Sequence, residues 1–214
     1  MDAHDGLNIR LELSADHKAI MLLTYKAFLE IDYPGRRRID EHYLVHLLQG
    51  SANVIPGLCF VAERDFEIVG HILYTKSKIK RPNGVEATAA TFGPLSVLPK
   101  AQRQGIGAAL VRHSLGEAME MGFGAVLITG WPKYYPKLGF KRASEYGLCL
   151  PDGSAADWFM AYELMPGYLG GGGAFHLAPE YDSAERDNEG FEAFNKQFMA
   201  KHFPQVSAPA STVL

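Results

Sequence analysis

The stretch PLSVLPKAQRQGIGAALV, Pro94 to Val111, constrains the fold more than any other part of the chain. An apolar, strand-like run stops at Pro99, polar residues follow, and Gly105 and Gly107 open a run with helical spacing. A strand that feeds a helix through glycines leaves the first helical N–H groups without intrahelical acceptors, and such a terminus attracts phosphate. A dinucleotide-binding turn needs a third glycine, whereas Gly105-Ile106-Gly107 runs into Ala108, Ala109 and Leu110. An NTPase phosphate loop needs Gly-Lys followed by Ser or Thr, which is also missing here. What remains is a six-residue loop, Gln102 to Gly107, that is either a backbone nest for a pyrophosphate or a plain strand-to-helix turn. Its own residues leave those two alternatives level.

The flanking sequence supplies the architecture. NIRLEL, from Asn8, predicts a first strand, and Ser14 is placed to cap a helix over ADHKAIMLLTYKAFLEI. A second helix of about three turns is expected in RRRIDEHYLVHLLQG, with Asp40 as its cap and Gly50 as its stop. GLCFVAERDFEIVGHILYTKSKI predicts two strands around a polar turn, and RPNG closes a further hairpin. The next strand, VEATAATFGPLSVL, carries Gly93-Pro94 in its middle, which regular central pairing rejects, so a bulge or splay is expected there. AVLIT predicts a short buried strand, PKYYPKLGF a brief helical turn, and DWFMAYEL the last strand. Strands with helices between them define a mixed α/β or α+β class. The expected division is a lead over 1–7, a domain over 8–165, an extension over 166–203 opened by Gly170 to Gly173, and a disordered tail over 204–214.

Bulk properties narrow the function. At 214 residues and 47% hydrophobic, the chain supports one sizeable core, and a net charge of -3 gives no drive toward nucleic acid. Cys59 and Cys149 lie ninety positions apart without metal-ligand spacing, as expected for buried thiols in a reducing cytoplasm. MDAHDGLNIR lacks a secretory pattern, and no apolar run approaches the ~20 residues a spanning helix needs, so no membrane partner is expected.

LSVLPKAQRQGIGAALV, AVLIT and YYPKLGF occur in an order that resembles the GNAT superfamily of acetyl-CoA-dependent N-acetyltransferases. That superfamily has a Q/R-x-x-G-x-G/A loop after its fourth strand and a Tyr five residues before the Phe of a Gly-Phe pair, here Gln102 to Gly107 and Tyr135 before Gly139-Phe140. The YYPKLGF form, with FMAYELMPGYLGGGGAFHLAPEYD after it, is similar to a bacterial branch of predicted N-acetyltransferases. The resemblance covers about residues 8 to 165. It implies a mixed sheet splayed at its fourth strand with helices on both faces, acetyl-CoA as acyl donor, an amine as acceptor, and a homodimer as a common assembly.

It also implies residue roles. The backbone N–H of Leu95 would meet the thioester oxygen, and Ser96 and Val97 would continue along the pantetheine arm. Gln102, Arg103, Gln104, Gly105, Ile106 and Gly107 would hold the pyrophosphate, Tyr135 would protonate the departing thiolate, and Tyr134 would be a packing residue. The family's base positions are occupied by Thr91 and Gly93, which cannot take a proton in this role. Glu86, His71 and Glu163 are the remaining candidates, and an amine that arrives neutral needs no base. Many relatives have an Asn where this chain has Ile128. Arg36, Arg37 and Arg38 are candidates to meet an anionic acceptor, against a solvated charge run. His42 and His46 are one helical turn apart but lack a third ligand, so two surface histidines and no metal are expected. The alternatives are a GNAT domain that binds acetyl-CoA as a sensor or scaffold, and an enzyme that moves another acyl group.

Overall fold

The structure is a computed structural model and describes residues 6–29, 31 and 38–204. The described strands form one mixed sheet: β1 (Asn8–Leu11), β2 (Phe60–Arg64), β3 (Glu67–Lys80), β4 (Glu86–Val97), β5 (Ala125–Thr129), β6 (Lys141–Arg142), β7 (Leu148–Cys149), β8 (Phe159–Glu163) and β9 (Gly173–His176). The order is β1-β2-β3-β4-β5-β8-β6, with β9 joining β3 and β7. β4 lies along β3 for most of its length, so β9, which pairs Lys78 to Lys80, uses the edge of β3 that β2 leaves free.

Helices cover both faces. α3 (Ile106–Glu120) packs on Phe60, Ala62, Ile72, Tyr74, Phe92, Val126 and Ile128, and the Tyr74 and Ser114 hydroxyls pair at 2.9 Å beneath it. On the other face, α1 (His17–Leu29) and α2 (Glu41–Leu48) close Ile20 and Val45 over Val61. That face continues into a second apolar group of Ile79, Ala89, Leu127, Phe159 and Phe175. Alternating residues of one strand therefore feed two cores, as the pleat requires.

Several local expectations are corrected. Ser14 does not cap α1; it opens a 3-10 turn, Ser14–Asp16, in which the Asp16 carboxylate accepts the Leu13 N–H at 2.8 Å. Asp16 also receives Arg10 at 2.7 Å, and Arg10 reaches Glu63 at 2.8 Å, which holds both carboxyls below the usual range. α2 has eight residues, closer to two turns than three. The β2–β3 turn is tight because Asp65 and Phe66 both take positive φ, the geometry that matches strand twist.

DWFMAYEL is not the last strand. β9 follows it, then α4 (Pro179–Arg186) and α5 (Asn188–His202). The glycine run from Gly170 is a close-packed joint: Gly173 has φ +134, and a β-carbon on it would sit 2.5 Å from the Lys80 carbonyl oxygen. The Arg81 guanidinium donates to the carbonyls of Leu169, Gly170 and Gly172, fixing the same joint from below. Phe175 then stacks on Phe159 at 4.9 Å in the core. Phe175→Ala should lower stability by about 3–5 kcal/mol, read as a lower midpoint in urea unfolding; an unchanged midpoint would show that β9 adds nothing to the sheet.

Candidate active site

The site starts from a failure of strand pairing. β4 and β5 run parallel but share one residue pair, Ala90↔Val126. Beyond it, the β3–β4 register shifts between Ile72 and Tyr74, so that Gly93 and Pro94 form a bulge on β4 and the strand leans away from β5. Past the bulge, Leu98 N–H donates to Val69 at 2.9 Å, with Val97, Ser96 and Leu95 opposite Gly70, His71 and Ile72. Bonded and non-bonded pairs alternate in an antiparallel ladder, so the N–H groups of Val97 and Leu95 turn away from β3 and into the gap. The Leu95 and Val97 side chains pack on the α3 face, while the Ser96 hydroxyl faces the other way and donates to Thr24 of α1 at 3.1 Å. The Val97 carbonyl accepts the Gln102 side-chain amide at 3.0 Å, so Gln102 braces the strand's end.

The loop ends in α3 with Gly105 as N-cap, φ +82, and no side-chain cap on the helix. The first acceptor inside the helix is the Gly105 carbonyl, bound by Ala109 N–H at 2.9 Å, so the N–H groups of Ile106, Gly107 and Ala108 point outward. Gln104 is anchored by its side-chain amide to the Lys100 carbonyl and by its oxygen to Arg64. Arg103 is exposed, with φ +59, and is left to the solvent side of the loop.

Tyr135 closes the gap from the end of β5. It opens a short 3-10 helix, Tyr135–Leu138, and its ring lies 5.8 Å from Phe92 of β4 and against Gly130, where a β-carbon would clash with it. It is half-buried, spanning the two parted strands. Tyr134 packs on it at 5.0 Å but does more than fill space: its hydroxyl lies at the first turn of α3, 3.0 Å from where a β-carbon on Gly107 would be. Burial pushes that phenol upward.

The base candidates lie elsewhere. Glu86 is exposed at the start of β4 and pairs with Lys78 at 2.8 Å. Glu163 sits opposite Ala125, at the far end of β5, and accepts the Leu169 N–H. His71 is fully buried beneath α1, with Nε2 2.7 Å from the Glu12 carboxylate. Thr91 donates its hydroxyl to Ser77, and Ile128 is core. Arg36 and Arg37 lie outside the described residues. Arg38 serves the fold: it donates to Asn188 and to the Ala184 carbonyl, and covers the Phe191 ring at 4.1 Å. His42 is no surface residue, being buried among Tyr25, Phe191, Phe194 and Phe198, whereas His46 is exposed. Burial pushes the Cys59 thiol up to about 12, which removes it as a nucleophile at neutral pH.

One residue at the gap was missed from sequence. Tyr181 of α4 donates its hydroxyl to the Gly93 carbonyl at 2.9 Å, on the face opposite α3, and lies 3.4 Å from the Thr75 hydroxyl. Burial pushes its phenol upward too. Only its place, 88 residues after Gly93 in an unassigned extension, kept it out of view.

Known proteins are similar to this chain. A family model for the acetyltransferase (GNAT) domain matches residues 56–142, which span the bulged strand, the loop, α3 and Tyr135. The uncharacterized N-acetyltransferase YjhQ of Escherichia coli is 30% identical over 122 residues, 55% of this chain and 67% of that protein. The crystal structure of YhbS from Escherichia coli in complex with CoA matches with a TM-score of 0.71 at 24% identity, over 82% of this chain and 92% of that one. A Brucella melitensis GNAT acetyltransferase in complex with acetyl-CoA matches with a TM-score of 0.65 at 26% identity, over 82% and 98%. Bulged strand, glycine-led helix, bridging tyrosine and these relatives together place the chain in the GNAT acetyltransferase family.

Proposed function

We propose that the protein transfers an acetyl group from acetyl-CoA directly to a primary amine. The observation that carries this is the gap between β4 and β5, with outward N–H groups along one edge, the open α3 terminus at one end and Tyr135 across the other. The pyrophosphate rests on the Gln102–Gly107 loop, where oriented N–H groups and the helix dipole favour an anion. The pantetheine arm follows Val97 into the gap, and the Leu95 N–H meets the thioester oxygen, where negative charge develops. A preorganised donor at such a point is worth roughly 10²–10³ in rate.

The amine nitrogen attacks the thioester carbon. A C–N bond forms, the C–S bond breaks, and Tyr135 gives its proton to the departing sulfur. The surplus proton on nitrogen passes to water. With Glu86, Glu163 and His71 displaced from the gap, the amine reacts in its neutral form without an enzyme base. The same displacement favours the second reading, a domain that binds acetyl-CoA as a sensor. Two free thiols, Cys59 and Cys149, suit a reducing cytoplasm.

Calorimetry tests the cofactor first: no affinity for acetyl-CoA at millimolar concentration would defeat both readings, and binding without coenzyme A release across an amine panel would select the sensor. For an accepted amine, Tyr135→Phe should lower kcat by roughly 10²-fold with acetyl-CoA affinity retained; full turnover would remove the general-acid role. Because only neutral amine reacts, kcat/KM for the acceptor should rise with pH in proportion to its neutral fraction, up to the pKa of the amine itself, about 10 for an alkylamine. A plateau near neutrality would reveal an enzyme base.

A further inference from the structure

We infer that the cleft between α4 and the carboxyl end of β5 is where the acceptor enters, and that it takes a primary amine on an apolar or aromatic carrier. This rests on the acetyltransferase reading above. The cleft is about 410 Å³, the size of sites for small organic ligands. Its lining includes Thr129 of β5, Pro151 and Trp158 from the segment before β8, and Tyr181, Asp182 and Glu185 of α4.

Its position joins it to the reacting centre. Thr129 shares a face of β5 with Ala125 and Leu127, which belong to the apolar group away from α3, and the next residue, Gly130, touches Tyr135. Tyr181 lines the cleft and hydrogen-bonds the Gly93 carbonyl on the other side of the gap. The cleft thus adjoins both edges of the gap from the face opposite the α3 terminus. An amine entering here would reach the thioester carbon without crossing the space given to the cofactor, which leaves that carbon open to direct attack.

Its lining sets the chemistry. Trp158 is 46% exposed, an unusual state for so large an apolar ring, and offers a flat surface to a carrier group or to an ammonium. Asp182 and Glu185 line the cleft from α4, with His176 as the one basic side chain among its lining, so two carboxylates bias the cleft toward cations and against carboxylates. Asp182 also pairs with Arg186 at 2.9 Å, so Glu185 carries the less shared charge. Trp158 and the α4 wall lie beyond the 56–142 family match, so the elements that select the acceptor are outside the segment common to the family.

The test uses the full chain and two probes, phenethylamine and 3-phenylpropanoate. The protein has two tryptophans, Trp131 and Trp158, whose indole N–H signals are separable by NMR once Trp131→Phe assigns them. Phenethylamine should shift the Trp158 signal saturably, with or without coenzyme A, which cannot acetylate it, and 3-phenylpropanoate should not. The exposed double variant Asp182→Lys with Glu185→Lys should weaken phenethylamine by roughly tenfold, with its melting temperature showing that the fold is kept. Absence of a saturable Trp158 shift at tens of millimolar, equal binding of amine and carboxylate, unchanged affinity in the variant, or displacement by coenzyme A would each overturn the assignment. Acetyl-CoA affinity on the same samples reports separately on the acetyltransferase reading.

Discussion

The parting of β4 from β5 after one residue pair is the constraint on which the rest of the molecule depends. Two parallel neighbours would ordinarily satisfy each other's backbone groups along their full length. Here a Gly-Pro bulge turns β4 aside, and the N–H groups of Leu95 and Val97 face the gap instead of a paired strand. The consequence reaches in both directions. α3 begins beyond the parted strand, so its open terminus lies in line with the gap, and Tyr135, on the segment that leaves β5, fills the space between the strands instead of a lost pairing partner. Backbone donors place no demand on their own side chains, which is why Leu95 and Val97 can also pack on the core.

The parts legible in the sequence are those with a local cause. Gly93-Pro94 foretold the bulge, because a strand interior excludes that pair, and Gly105 with Gly107 foretold a glycine-led helix start. The family resemblance singled out Tyr135, and the structure puts its ring at the gap. Features that depend on distant chain segments stayed hidden. β9 has four residues bounded by glycines, too few to show alternation, and it exists because Arg81 and Phe159 hold it from elsewhere in the chain. His42 looked like a surface residue because the aromatic rings that bury it come from α1 and α5. Tyr134 looked like packing because nothing local shows that its hydroxyl meets α3.

The C-terminal segment proves to be working structure. Its strand extends the sheet, its helices cover α2, and Tyr181 returns to the Gly93 carbonyl at the bulge. At Gly93, one of the two positions where the family resemblance implies a base, the backbone carbonyl is held by a phenol from the extension. The chemistry we propose is one of placement: the backbone would stabilise charge, a tyrosine would supply a proton, and the amine's own acid–base equilibrium would replace a dedicated side chain.

A crystal structure of the protein with acetyl-CoA tests this account most directly. It predicts pyrophosphate oxygens on the N–H groups at the α3 terminus and the thioester oxygen at about 3 Å from the Leu95 nitrogen, with sulfur beside the Tyr135 hydroxyl. A cofactor seated away from the gap, or a thioester turned from Leu95, would contradict it.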